Sequence, residues 1–254
     1  MSFSALVANE TKLQVYEMKQ YWFETVSSLV MMCAVFAGLF YGVKSFTTPG
    51  DGATSLDGLV FGFLLWIFAL SAYSSITKSL VEDNQKGFLE QLFLCPQGIT
   101  QLMLARALVE MLWSMVFVTL LAWITMALTG NWIDLNFFYF YLLMFISSLS
   151  LIGLGFIVCG LALNFKKVGT VAALFNIAFM GLVAIDALPL NVFTLLPFTA
   201  GASLSRDILL QNEPLNLTHL AIVATNSVVY LTVGIYLFRR LVKRAKRLNL
   251  IGQY

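Results

Sequence analysis

Six stretches of roughly twenty apolar residues decide what this chain can become: Trp22–Val43, Leu59–Ile76, Ala107–Leu128, Phe137–Leu163, Val168–Leu188 and Leu220–Phe238. At 1.5 Å of helical rise per residue, about 20 apolar residues cross the roughly 30 Å hydrocarbon core of a bilayer. Lipid offers no partner for backbone N–H and C=O groups, so such stretches must be helices that satisfy those groups internally. Composition excludes the soluble alternative. The chain is 59% hydrophobic and 11% charged, whereas a soluble domain has about 45–50% apolar and about 25% charged residues. The expected class is an all-α integral membrane protein forming one domain over residues 1–254, with six spans at 22–43, 59–76, 107–128, 137–163, 168–188 and 220–238.

The distribution of Lys and Arg sets the orientation. With the N-terminus in the cytoplasm, the inner segments hold Lys12, Lys19, Lys78, Lys86, Arg106, Lys166, Lys167 and the tail cations Arg239, Arg240, Lys243, Arg244, Lys246 and Arg247. That is thirteen of the fifteen basic residues, leaving only Lys44 and Arg206 outside. The positive-inside rule therefore predicts both termini in the cytoplasm of a multi-pass protein of the cell (inner or plasma) membrane. The tail, 239–254, is first an anchor for anionic lipid headgroups and second a contact for a cytoplasmic partner. A charge cluster attached directly to a span does not suit nucleic acid.

The connecting segments differ in kind. Residues 1–21 carry a rough helical stripe through Leu6, Leu13, Val15, Tyr16 and Met18, which predicts an interfacial amphipathic helix leading into the first span. The outer segment from Asp186 to Thr218 is long and apolar, with prolines at Pro189, Pro197 and Pro214. Short external helices lying at or dipping into the interface fit it, and so does a small cap packed on itself.

Several chemistries are missing. The chain has no GxxxxGK[ST] phosphate loop, no HExxH and a single histidine, His219. Cys33, Cys95 and Cys159 have no paired or metal-ligand spacing. Glu24, Glu110 and Asp186 lie near span ends, where a charge reaches water, so no ion-coupling group sits near the midplane.

One polar stretch stands out between the second and third spans: EDNQKGFLEQLFLCP, Glu82 to Pro96. Glu82, Asp83 and Asn84 are good helix N-terminal residues. Phe88, Leu89, Leu92 and Phe93 then fall on one helical face, with Gln85, Lys86 and Glu90 on others. Pro96 ends the run, so a short amphipathic helix is expected at the cytoplasmic surface. By its apolar face it either docks in a groove of a partner or floats on the membrane.

The string Gly87-Phe88-Leu89-Glu90-Gln91-Leu92, preceded by Glu82 and followed by Pro96 and a helix bearing Arg106, resembles the signature of ABC-2 type transporter permeases. In architecture the resemblance covers the whole chain, in motif about fifteen residues. It implies that this stretch is a cytoplasmic coupling helix and that two permease halves, a second copy or a homologue, pair with separate ABC ATPase subunits. It implies no cofactor on this chain, with ATP and Mg held by the ATPase, and no enzymatic activity of its own. Glu82, Gln85, Lys86, Gly87, Phe88, Leu89, Glu90, Gln91, Phe93 and Pro96 would be the ATPase-coupling residues. One departure is Leu196-Pro197-Phe198-Thr199-Ala200, where the family often has Asn-Pro-Leu-Thr-Tyr; subfamily and cargo do not follow from that region.

Phe36 and Phe40 on the first span and Asn176, Phe179 and Met180 on the fifth are candidates for a translocation path, against the plainer reading that they pack. A path lined so would be greasy and uncharged, suited to lipid-like or amphipathic cargo. On the fourth span, Ser147, Ser148, Ser150, Gly153, Gly155 and Gly160 predict close helix packing. The resulting expectation is an exporter's permease subunit. The alternative is an integral-membrane scaffold or assembly factor that recruits a cytoplasmic partner and moves nothing.

Overall fold

The computed structural model describes residues 3–46, 52–85, 92–130, 132, 136–165, 169–211 and 213–247. Among them the chain is helical, with no strand. Eight α-helices follow in order: α1 (Phe3–Gln20), α2 (Trp22–Phe46), α3 (Gly52–Gln85), α4 (Ile99–Thr129), α5 (Phe137–Asn164), α6 (Gly169–Ala184), α7 (Thr199–Leu209) and α8 (Leu217–Arg247). A short 3-10 turn, Val192–Leu195, precedes α7.

Five of these helices, α2, α3, α4, α5 and α8, are long and apolar enough to cross a membrane. The expected fifth span corresponds to α6, which is shorter. Its 16 residues reach about 24 Å, against the roughly 30 Å of a bilayer core. It ends before Asp186 and Pro189, where the chain turns back into the bundle. The other helices overrun their apolar stretches. Helix α3 continues from the expected end at Ile76 to Gln85, because no glycine or proline interrupts it before Gly87. Likewise α8 continues past Phe238 to Arg247, so the first part of the basic tail is helix. Helix α4 stops where Gly130 takes up the left-handed conformation at φ 73° and donates its N–H to the Met126 carbonyl.

Helices α3 and α5 form the buried centre. Val60, Phe61, Leu64, Leu65, Phe68 and Tyr73 of α3 and Leu151, Ile152, Phe156 and Cys159 of α5 are all buried. Lipid supplies no hydrophobic drive between helices, so small and polar side chains bring them together. Ser71 of α3 hydrogen-bonds Ser114 of α4, Thr119 of α4 meets Tyr141 of α5, and Ser148 Oγ donates to Met111 Sδ at 2.7 Å. The glycines of α5 act as expected. Gly153 lies against the Tyr230 and Leu231 backbone of α8, Gly160 against Leu241, and Gly155 against the Tyr73 carbonyl of α3. Gly234 of α8 faces the Gly153 backbone in return, so α5 and α8 touch main chain to main chain. Lower down, Asn164 Nδ2 donates to the Leu241 carbonyl at 3.1 Å. Helices α5 and α8 therefore run parallel as one fused pair.

The segment between α6 and α8 packs into the bundle. Almost all of α7 is buried, including Thr199, Ala200, Ala202, Ser203 and Leu204. Gly201 meets Ser147 of α5 and Val223 of α8. Ahead of α7, Asn226 Nδ2 donates to the Thr194 carbonyl at 2.9 Å, and Tyr230 Oη to the Leu195 carbonyl at 3.0 Å. Those two residues lie nine and thirteen positions into α8, about 14 and 20 Å along its axis. The segment thus descends deep alongside α8. Backbone carbonyls of this irregular stretch are satisfied here by side chains of α8.

Candidate functional site

The linker between α3 and α4 sits at the end of the bundle that gathers the cations Arg106 and Arg239–Arg247, hereafter the basic end. Ser79 of α3 and Arg106 of α4 meet there, Arg106 Nη1 donating to Ser79 Oγ at 2.9 Å. Beyond that level α3 continues for six residues and α4 for seven, about 9–10 Å; the α3 extension lies past the apolar part of its helix, Asp57–Thr77, while Leu102 and Ala105 of the α4 extension are buried with Leu6 of α1. Glu82, Asp83 and Asn84, expected to begin a separate helix, are instead continuous with α3, which is described as far as Gln85. Lys86, Gly87, Phe88, Leu89, Glu90 and Gln91 lie outside the described residues. The chain is described again at Leu92 and Phe93, which are helical, followed by a turn through Pro96 that ends at Gly98 with φ 82°. The helical residues stop at Phe93, three before Pro96, and Ile99 starts the next helix.

Two neighbours hold this linker. On one side Leu92 packs with Leu6 and Val7 of α1 and Leu102 and Ala105 of α4. On the other, the ring of Phe93 lies under Lys246 of α8, with Nζ 4.6 Å from the ring centroid. Phe93 is half-buried against the core, so the ring expected to be exposed for a partner is engaged within the chain. Leu94, which carried no role, is 81% exposed. Helix α1 is fastened by more than its apolar contacts. Arg106 Nε donates to Glu10 Oε2 at 3.1 Å, an ion pair whose side chains are 19% and 13% exposed. Arg106 therefore joins α1, α3 and α4 at the root of the linker. Sequence periodicity cannot reveal that junction, since its three members lie up to 96 positions apart.

The candidate path residues divide. Phe36 and Phe40 of α2 are fully buried and stack near Phe63 of α3, the Phe36–Phe63 centroids being 4.9 Å apart. Phe179 is buried too, against Tyr73 of α3 at 4.9 Å, with Phe175 beside it at 5.8 Å. Phe63 and Tyr73 are ten residues apart on α3, about 15 Å, so these are two separate aromatic contacts. Asn176 and Met180 point the other way. They are exposed in this chain, on a face of α6 shared with Ile177. One amide in an apolar, outward-facing helix surface is what a polar contact inside an assembly or a path would use.

At the opposite end, Arg206 of α7 closes the C-terminus of α6. Its Nη2 donates to the Ile185 carbonyl at 2.8 Å and its Nη1 to the Ala184 carbonyl at 3.4 Å, and it pairs with Asp186 at 2.9 Å. A cation at a helix C-terminus satisfies orphan carbonyls and opposes the negative end of the dipole. Burial, with Glu213 next, raises the carboxyl of the adjacent Asp207 above its usual value.

This arrangement has no reactive constellation at its centre. Among the described residues, no group of His, Cys, Asp or Glu is placed to hold a metal ion. Its distinguishing parts are an N-terminal helix fixed to the root of the α3–α4 linker and a bundle of apolar helices. No curated protein and no solved structure gives a match. The family model described as ABC-2 type transporter matches residues 1–210, from α1 through the end of α7. With its apolar helices and this match, the chain belongs to the ABC-2 type transporter family, as a multi-pass membrane permease.

Proposed function

We propose that this permease is the membrane half of an ATP-driven exporter, worked by a separate ABC ATPase subunit that docks on residues 82–96. ATP and Mg belong to that subunit, and two permease chains, identical or homologous, complete the transporter. The six-span layout counts α6 as the fifth span, with the basic end and both termini in the cytoplasm of the cell membrane. The observation that supports this reading is the continuation of α3 beyond its apolar part, past the Ser79–Arg106 contact to Gln85, at the end of the bundle where Phe93 meets Lys246. Such a continuation gives a partner a short helix to seat by the helix-in-groove mode. Leu94 adds an exposed apolar contact that the motif had not supplied.

The cargo is lipid-like or amphipathic. Support comes from α5 and α6, which contain no charged residue, and from the apolar face around Asn176 and Met180. The test is reconstitution in proteoliposomes with a candidate ABC ATPase partner, following ATP turnover. Phe88→Ala and Glu90→Lys should each remove most of the turnover that the permease confers on its ATPase. Wild-type turnover in both variants would overturn the docking site. Asn176→Trp blocks the α6 face; if it leaves every activity intact while the ATPase still binds, the chain is a recruiting scaffold.

A further inference from the structure

Helix α8 is one unbroken helix of 31 residues, about 45 Å long, and it is gripped at its basic end and again deep along its length. At the basic end Lys246 lies over the ring of Phe93 in the α3–α4 linker, while Ala245 and Val242 are buried. Twenty residues earlier, about 30 Å away, Asn226 holds the Thr194 and Leu195 carbonyls and Tyr230 holds Leu195. In between, α8 is fused to α5 by the Gly153–Gly234 backbone contact and by Asn164. A helix pressed main chain to main chain against its neighbour cannot slide or bow independently at that point. The two gripped points of α8 are thereby connected by a stiff element.

We infer that the Asn226–Lys246 stretch of α8 is a strut joining the α3–α4 linker to the folded-back segment ahead of α7, with Lys246 and Asn226 as the positioning residues at its two ends. Displacement of Phe93 moves Lys246 and the strut, and the strut carries the carbonyls of Thr194 and Leu195 with it. The segment these carbonyls belong to leads directly into buried α7. The inference rests on the reading of the linker as the place where force enters, but the coupling between the two ends is a property of the permease alone.

It is tested by hydrogen–deuterium exchange on the full-length permease in lipid nanodiscs, without ATPase. Coupling is reciprocal, so each end is perturbed and the other is read. Lys246→Gln removes the cation but keeps the length; exchange of amides in 194–202 should accelerate, by up to about fivefold, the scale of an exposed cation–π contact. Lys246→Arg keeps a cation over the ring and should exchange as the unaltered protein does. Lys243→Gln removes a neighbouring exposed charge and should also change nothing in 194–202. Conversely, Asn226→Leu should accelerate exchange in 92–98, at the far end of the strut. The inference is overturned if Lys246→Gln and Asn226→Leu each alter only their own end, or if Lys243→Gln matches Lys246→Gln. Because the ATPase is absent, failure of the strut is read separately from failure of ATPase docking, which only the proteoliposome turnover measures.

Discussion

Gly153→Ala is the sharpest perturbation of this bundle, because two opposing terms meet at one methyl group. Alanine is the better helix former by about 0.8–1.0 kcal/mol, so on propensity alone the change stabilises. The new Cβ, however, would fall within 2.5 Å of the Tyr230 carbonyl carbon and 2.8 Å of the Leu231 nitrogen. Those are backbone atoms of α8 and cannot rotate aside, so the helices must separate. Overpacking costs about 1–3 kcal/mol, and a backbone obstacle puts this site at the upper end. The net is a loss of about 2 kcal/mol, or a fall of about 4–8 °C in melting temperature at this chain length. Gly62→Ala in α3 is the control, since nothing lies within 4 Å of its Cβ position; there only the propensity gain of up to about 1 kcal/mol operates. The assay is the surviving monodisperse fraction after heating in mild detergent. The double variant Gly153→Ala, Gly234→Ala should lose less than the sum of its parts, since both methyls strike the same contact. A Gly153→Ala protein that melts at or above the unaltered one, with Gly62→Ala behaving as stated, would refute the backbone contact and with it the stiffness of α8.

Four further outcomes follow from single side chains. Arg106→Lys should loosen α1, seen as faster proteolysis within residues 3–20, since one ammonium cannot reproduce guanidinium contacts to both Glu10 and Ser79. Arg206→Gln should destabilise by about 1–3 kcal/mol through the carbonyls it leaves unpaired. Asp186→Asn should cost under about 1 kcal/mol in the same melt, because Asp186 is 79% exposed and such pairs contribute little. Burial raises the Asp207 carboxyl above its ordinary 3.8, so its folded pKa exceeds its unfolded one. Stability from that group is therefore present below the ordinary value and lost as pH rises through the folded pKa. Asp207→Asn should melt higher than the unaltered protein at pH 7, with the gap closing in acid; a gap that widens in acid would contradict the sign.

What the sequence made legible is what depends on neighbours along the chain. Apolar run length located the five long helices and the shorter α6, and Gly153, Gly155 and Gly160 announced a close helix contact before the partner helix was visible. Helix ends were harder. Glu82–Asn84 suit either an N-cap or a turn of a continuing helix, and with no glycine or proline from Leu59 to Gln85 except Gly62 the helix runs on through them. Contacts between distant elements left no signal at all. Lys246 looked like one more cation in a lipid-facing tail, and Phe93 like a free knob; each looks different once they stack. The same holds for Asn226 and Tyr230, a polar pair in an apolar helix whose partners are carbonyls about 30 positions earlier. A membrane bundle makes such residues informative, because a buried amide in lipid must have an acceptor. When the acceptor is the backbone of an irregular segment, that segment is held at depth by the helix that satisfies it. The irregular stretch ahead of α7 is therefore part of the bundle's working structure, and α8 is the helix that sets its position.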